Sequence, residues 1–120
     1  MRIFSLLVIS LMLFLSAPIS SALAGFQGPT ATAQITTVAA ALKARDDAPV
    51  TLTGHIVQRV AGDDDNYLFR DASGQIVVDI DDEVFQGRTV TPQTRVRISG
   101  EVDRDAFKAP TIDVKFLEIL

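Results

Sequence analysis

The sequence predicts an all-β domain, a small five-stranded β-barrel with one short N-terminal helix, and three observations predict it. From residue 50 onward apolar residues recur with a period of two in five short runs, the spacing of strands that bury one face. Gly54 and Gly100 stand inside the first and fourth runs, where a small barrel has to bend sharply. Three of the connections have hairpin-like length and one is longer.

In chain order, the first segment is a leader. Met1 and Arg2 precede an apolar run from Ile3 to Leu15, interrupted only by Ser5 and Ser10, and a short polar stretch then ends in Ala22-Leu23-Ala24. This pattern reads as a secretory signal peptide over residues 1–24, cleaved before Gly25. The alternative, an uncleaved anchor, is poorly served by a run shorter than the roughly 20 apolar residues that span a bilayer. The chain has no Cys, so neither a lipid-modified N-terminal Cys nor a disulfide is available, and the exported product depends on its core alone. The expected location is the periplasm of a Gram-negative bacterium, with no membrane insertion after cleavage.

Residues 25–36 open with Gly25-Phe26-Gln27-Gly28-Pro29, lack periodicity and read as an extended, mobile arm. The domain proper is expected over residues 37–120. Thr37, or Thr36 one residue earlier, is a plausible N-cap for a helix from Val38 to about Arg45, with Val38, Ala41 and Leu42 on one face. The first strand is predicted over 50–60 with Val50, Leu52, Ile56 and Val60 on one face. The second covers 67–70 and the third 75–80, where Ile76, Val78 and Ile80 align; Asp71-Ala72-Ser73-Gly74 joins them as a hairpin. A fourth strand over 95–102 aligns Val96, Ile98, Gly100 and Val102, and a fifth over 111–117 aligns Ile112, Val114 and Phe116. The longer link, 81–94, has room for a helical turn at the barrel base before Pro92. This order of elements makes the OB-fold the leading candidate.

Charge narrows the function classes. The chain has 11 basic and 15 acidic residues and one His, and Arg2 is the only charged residue of the leader. An acidic domain with no basic run argues against nucleic acid, whose binding rests on Lys and Arg displacing counterions. Alternation also sends Tyr67 and Phe69 inward and leaves Leu68, Arg70, Val77 and Asp79 outside, so the strand 2–3 face lacks exposed rings on which bases stack.

Several stretches together resemble one family. Gly-Phe-Gln-Gly-Pro at 25–29, Asp46-Asp47, Val50-Thr51-Leu52-Thr53-Gly54, Tyr67-Leu68-Phe69-Arg70-Asp71-Ala72-Ser73-Gly74, Val78-Asp79-Ile80-Asp81, Gly100-Glu101-Val102-Asp103 and Ile112-Asp113-Val114-Lys115 follow the order and spacing of the bacterial OB-fold (BOF) proteins of the YgiW/YdeI type. The resemblance covers nearly the whole chain after the leader. It implies a five-stranded OB barrel with an extra N-terminal helix, a periplasmic location, and a role in tolerating envelope, oxidative, acid or metal stress, with no assigned enzymatic activity. Members often carry Trp near positions 85 and 107, where this chain has Phe85 and Phe107.

Three groups of residues are candidates for chemistry. Asp63, Asp64 and Asp65 lie in the first hairpin loop, and Asp79, Asp81, Asp82 and Glu83 follow the third strand. Crowded carboxylates repel, and a hard cation relieves the repulsion with oxygen ligands, so Asp63, Asp64 and Asp65 form a weak metal-site candidate. The loop is not an EF-hand, since its sixth and twelfth places hold Leu68 and Gly74. A transition metal would want Cys or further His beside His55. Paired carboxylates at Asp79 and Asp81 are the only acid–base arrangement, and no serine-nucleophile or phosphate-loop signature is present. Arg59, Arg70, Arg95, Arg97, Arg104 and Lys108 alternate with acids, as expected of cross-strand pairing on a solvated sheet. Arg70, Asp79, Arg104 and Lys108 are instead a candidate mixed-charge groove for a ligand.

The reading is thus a periplasmic binding module, neither enzyme nor cofactor protein, that recognises an envelope component such as a peptidoglycan fragment, or a cationic peptide or cation. Its alternatives are docking onto a periplasmic protein through the arm or an edge strand, and weak divalent-cation binding.

Overall fold

Five strands carry the alternating burial that the sequence pattern requires, and they close on one another. The computed structural model describes Gly25 and residues 34–120; the signal peptide predicted over 1–24 and most of the predicted arm lie outside the described residues. Strands β1 (Pro49–Arg59), β2 (Asn66–Asp71), β3 (Gly74–Asp79), β4 (Val96–Asp103) and β5 (Thr111–Ile119) form a closed barrel in the order β1-β2-β3-β5-β4. All neighbours are antiparallel except β3 and β5, which run parallel. This is the predicted five-stranded OB topology. Among the described residues no helix is long and apolar enough to cross a membrane.

Leu52, Phe69, Val78, Ile80, Val96, Ile98 and Ile112 are fully enclosed and fill the barrel. Each such side chain contributes about 1.5–3 kcal/mol through removal from water. Tyr67 and Phe69 face inward with Ile76, Val78 and Ile80, in the predicted phase. Strand β1 changes partner in its middle. Residues 49–54 pair with β4, whereas His55, Ile56, Gln58 and Arg59 pair with β2. Gly54 stands at the change, where an added Cβ would run into the carbonyl oxygen of Arg70 and the ring of Phe69. Gly100 allows a similar close approach in β4, where an added Cβ would run into the carbonyl of Asp113.

Helix α1 (Val38–Lys43) begins where Thr37 Oγ1 accepts a hydrogen bond from the Ala40 amide at 3.2 Å, which selects Thr37 over Thr36 as the cap. Asp71 Oδ2 accepts from the Val38 amide at 2.9 Å and so ties the helix start to the β2–β3 turn. The helix ends two residues earlier than the sequence suggests, with Ala44 already extended. Val38 and Ala41 are buried but Leu42 is 38% exposed, because so short a helix presses only one narrow face onto the barrel. Ile35, placed in the arm by the sequence reading, makes a parallel bridge to Val50 and accepts from the Thr51 amide at 3.0 Å.

Two bulges shift the predicted phases. One between Ile56 and Gln58 ends the burial of β1 early and leaves Val60 half-buried after the strand. The other, at Ser99/Gly100, gives β5 one extra residue, so Leu117 turns inward and Phe116, expected in the core, is 71% exposed. The long link contains the expected helical turn, α2 (Asp82–Phe85). Arg88 holds it in place, donating to the carbonyls of Phe85 at 2.8 Å, Val84 at 3.2 Å and Leu117 of β5 at 2.8 Å.

Candidate functional site

The β1–β2 loop organises itself around one carboxylate. Gly62 takes the left-handed φ of 85° that the turn requires. Asp63 then accepts from the Asp65 amide at 3.2 Å and from Asn66 Nδ2 at 2.8 Å. Asp63 is thereby consumed by the loop. Asp64 is exposed, and its carbonyl accepts from Arg59 at 2.6 Å, while the Arg59 guanidinium lies 4.9 Å from the centre of the Tyr67 ring. Asp65 alone turns toward the barrel, its carbonyl accepting from the Ile80 amide at 2.8 Å.

Register does the rest. Asn66 pairs with Asp79 across β2 and β3, so the loop that precedes Asn66 arrives beside the end of β3. Asp65, Asp79 and Asp81 each bring a carboxylate oxygen to within 4.8 Å of the others. Asp81 caps α2 without a side-chain bond to it, which leaves its carboxylate available. Desolvation and then the charges of Asp81 and Asp82 push the Asp65 carboxyl above its ordinary range. Desolvation, followed by Asp81, Asp113 and Asp65, does the same to Asp79. Asp113 faces Asp79 across the parallel β3–β5 pair and takes Lys115 Nζ at 2.9 Å.

Beside this trio a recess of about 250 Å³ opens between β3 and the β4–β5 loop, lined by Asn66, Asp79, Asp103, Asp105, Lys108 and Thr111. Asp105 Oδ1 accepts from the Phe107 amide at 3.0 Å and folds the loop so that Phe107 projects, 94% exposed, next to Lys108. An OB-fold commonly uses its first and last hairpin loops for ligands. Both border this recess.

The structure redistributes the residues predicted from sequence. Asp79 and Lys108 line one recess, but Arg70 and Arg104 do not join them. Arg70 donates to Gln75 Oε1 at 2.9 and 3.1 Å at the opposite end of β3, about 13 Å along the strand from Asp79. Arg104 closes the C-terminus of α1, donating to the carbonyls of Leu42 at 2.5 Å and Ala44 at 2.8 Å. The single groove of four residues is therefore not formed. The Asp63-Asp64-Asp65 triplet likewise divides, and the carboxylates that converge are Asp65, Asp79 and Asp81. The expected cross-strand ion pairing is also sparse: among the described residues only Arg97–Glu118 at 3.0 Å and Lys115–Asp113 at 2.9 Å are ion pairs.

Comparison with known proteins agrees with this architecture. The family model described as Bacterial OB fold (BOF) protein matches residues 15–119. The chain is 52% identical over 97 residues, 81% of each chain, to the "Calcium-regulated OB-fold protein CarO" of Pseudomonas aeruginosa. It is 47% identical over 120 residues, 90% of each chain, to the protein YgiW of Escherichia coli K12. The solved structure of Escherichia coli YgiW superposes with a TM-score of 0.68 at 49% identity, covering 80% of this chain and 98% of that one.

Proposed function

This chain belongs to the bacterial OB-fold (BOF) family, and we propose on that footing that it is an exported periplasmic binding module that contributes to envelope stress tolerance by recognising a ligand without transforming it. The ligand favoured by the geometry carries positive charge, and a hard divalent cation is its simplest form. One observation carries this reading. Asp65, Asp79 and Asp81 are held within 4.8 Å of one another by strand register, and two of the three carboxyls are raised, by desolvation first and then by the neighbouring acidic charges. Oxygen ligands on a short loop and a strand end suit calcium rather than a soft metal. The Pseudomonas aeruginosa relative is named as calcium-regulated, which makes calcium the first cation to test. The leader supports export, and the inward-facing Tyr67 and Phe69 argue against a nucleic-acid strand.

Isothermal titration of the mature protein with calcium chloride tests the reading. It predicts saturable binding that the Asp65→Asn/Asp79→Asn double variant loses; no saturation, or equal binding by the variant, rejects it. A second reading draws on Phe107, displayed next to Lys108 at the recess that Lys108 and Asp79 line, where a ring could stack on a sugar and the two opposite charges could hold a peptide. Titration with a peptidoglycan fragment then moves the amide signals of Phe107 and Lys108, and their constancy removes it.

A further inference from the structure

We propose that the chain has a second binding site, of opposite charge, for a small ligand bearing an oxyanion, in the groove along the outer face of β1. The groove is lined by Thr53, His55, Arg70, Gln93 and Arg95, with Pro92 at its lip. Its origin is the change of partner in β1. Gly54 pairs with Val96 of β4 and His55 with Arg70 of β2, so Arg95, just before β4, and Arg70, near the end of β2, flank the same short piece of β1. The concavity has a volume of about 710 Å³, enough for more than a single ion.

Its lining carries two arginines against one carboxylate. Neither Arg70 nor Arg95 is in an ion pair among the described residues, although the chain as a whole is acidic. The one carboxylate at the groove is Asp71, and both of its oxygens are already engaged. Its Oδ2 accepts from the Val38 amide, and its Oδ1 accepts from the Ser73 amide at 2.7 Å, the Ser73 hydroxyl at 2.6 Å and the Gly74 amide at 3.1 Å. What remains on the walls is a set of donors: two guanidinium groups, an imidazole, a threonine hydroxyl and a glutamine amide. Guanidinium forks match the paired oxygens of a carboxylate or a phosphate.

Both lips are fixed. On one side the Asp71 bonds hold the β2–β3 turn. On the other, a closed turn joins the Thr94 amide to the Thr91 carbonyl at 2.9 Å and the Thr91 amide to Thr94 Oγ1 at 3.1 Å, which sets Pro92 and Gln93 in place. A backbone already fixed at both lips spends no loop-ordering entropy when a ligand binds.

The test is an amide NMR titration of the mature protein with inorganic phosphate and, separately, acetate, against sodium chloride at matched ionic strength. The expected result is saturable movement of the His55, Arg70, Gln93 and Arg95 signals at millimolar concentrations by at least one of the two anions. Phosphate alone points to a phosphorylated ligand and acetate alone to a carboxylated one. Arg70→Gln/Arg95→Gln weakens the response by about tenfold or more, while Arg97→Gln outside the groove leaves it unchanged. Both replaced residues are exposed, and Arg70 gives up only its bonds to Gln75. No saturable movement with either anion, or an undiminished response in the double variant, overturns the proposal. The outcome is independent of calcium binding at Asp65, Asp79 and Asp81, so each site succeeds or fails by itself.

Discussion

The acidic cluster at the end of β3 and the basic groove along β1 are both concentrations of one charge, but they arise differently. At the acidic end, strand register brings like charges together, and desolvation followed by the neighbouring acidic charges raises the carboxyls of Asp65 and Asp79. In the groove, the arginines are left without acidic partners, and the nearby Asp71 is engaged by backbone and serine donors. Its carboxyl is accordingly lowered: burial works to raise it, and the hydrogen bonds from Ser73, Val38 and Gly74 outweigh burial. One region is crowded by its own kind, whereas the other is deprived of the opposite kind. A ligand can relieve either situation, and the two ligands differ in sign.

The strongest perturbation of this contrast acts on the backbone. Gly54 beneath the groove and Gly100 near the acidic end each lie against a carbonyl of the neighbouring strand. Alanine at either position should destabilise the barrel by about 3 kcal/mol or more, read as a lowered urea midpoint. A neutral Gly54→Ala would mean that β1 does not need this close approach to change partners.

Next in size is Asp71→Ala, which removes the link between the β2–β3 turn and the start of α1. A loss of about 1–2 kcal/mol is expected. The pH dependence has a defined sign. A carboxyl lowered in the folded state contributes stability above its ordinary value of 3.8, and that contribution is lost as pH falls through the lower folded value. In Asp71→Ala this part of the acid-induced loss should be missing from the unfolding profile.

Asp79→Asn sharpens the comparison from the other side, because it should stabilise. A carboxyl raised in the folded state penalises folding once pH rises through its folded value, and the penalty is absent below the ordinary value of 3.8. Removing the charge therefore gains up to about 1 kcal/mol at neutral pH, and the gain fades on acidification. The smallest effect is Arg97→Gln. Its ion pair with Glu118 is exposed, and thermal unfolding should change by about 0.5 kcal/mol or less.

Much of this molecule is legible in its sequence, and the exceptions have local causes. The inward phase of Tyr67, Phe69, Ile76 and Val78 follows from alternation, because one face of each strand is enclosed. The acidic convergence was also readable: a two-residue turn at Ala72-Ser73 pairs Arg70 with Gln75 and therefore Asn66 with Asp79. The sequence reading instead kept the two acidic stretches apart and gave Asp63, Asp64 and Asp65 one role, although Asp63 is spent on its own loop and only Asp65 turns toward the barrel. Phe116 escaped because a bulge adds one residue without a signature in the apolar period. Arg104 escaped because the carbonyls it closes belong to a helix about sixty residues earlier in the chain. The groove arginines escaped for a similar reason. Their lack of acidic partners depends on where the bonds of Asp71 go, which composition does not show.

The central claim is that strand register builds a cation site from Asp65, Asp79 and Asp81. Thermal unfolding of the mature protein with calcium chloride, against sodium chloride at equal ionic strength, tests it most directly. Calcium at tenfold excess over its dissociation constant should stabilise the wild type by about 1.4 kcal/mol, several degrees in midpoint for a domain of this size, and leave Asp65→Asn/Asp79→Asn unmoved. Equal midpoints in the two salts, or an equal calcium response in the double variant, would contradict it.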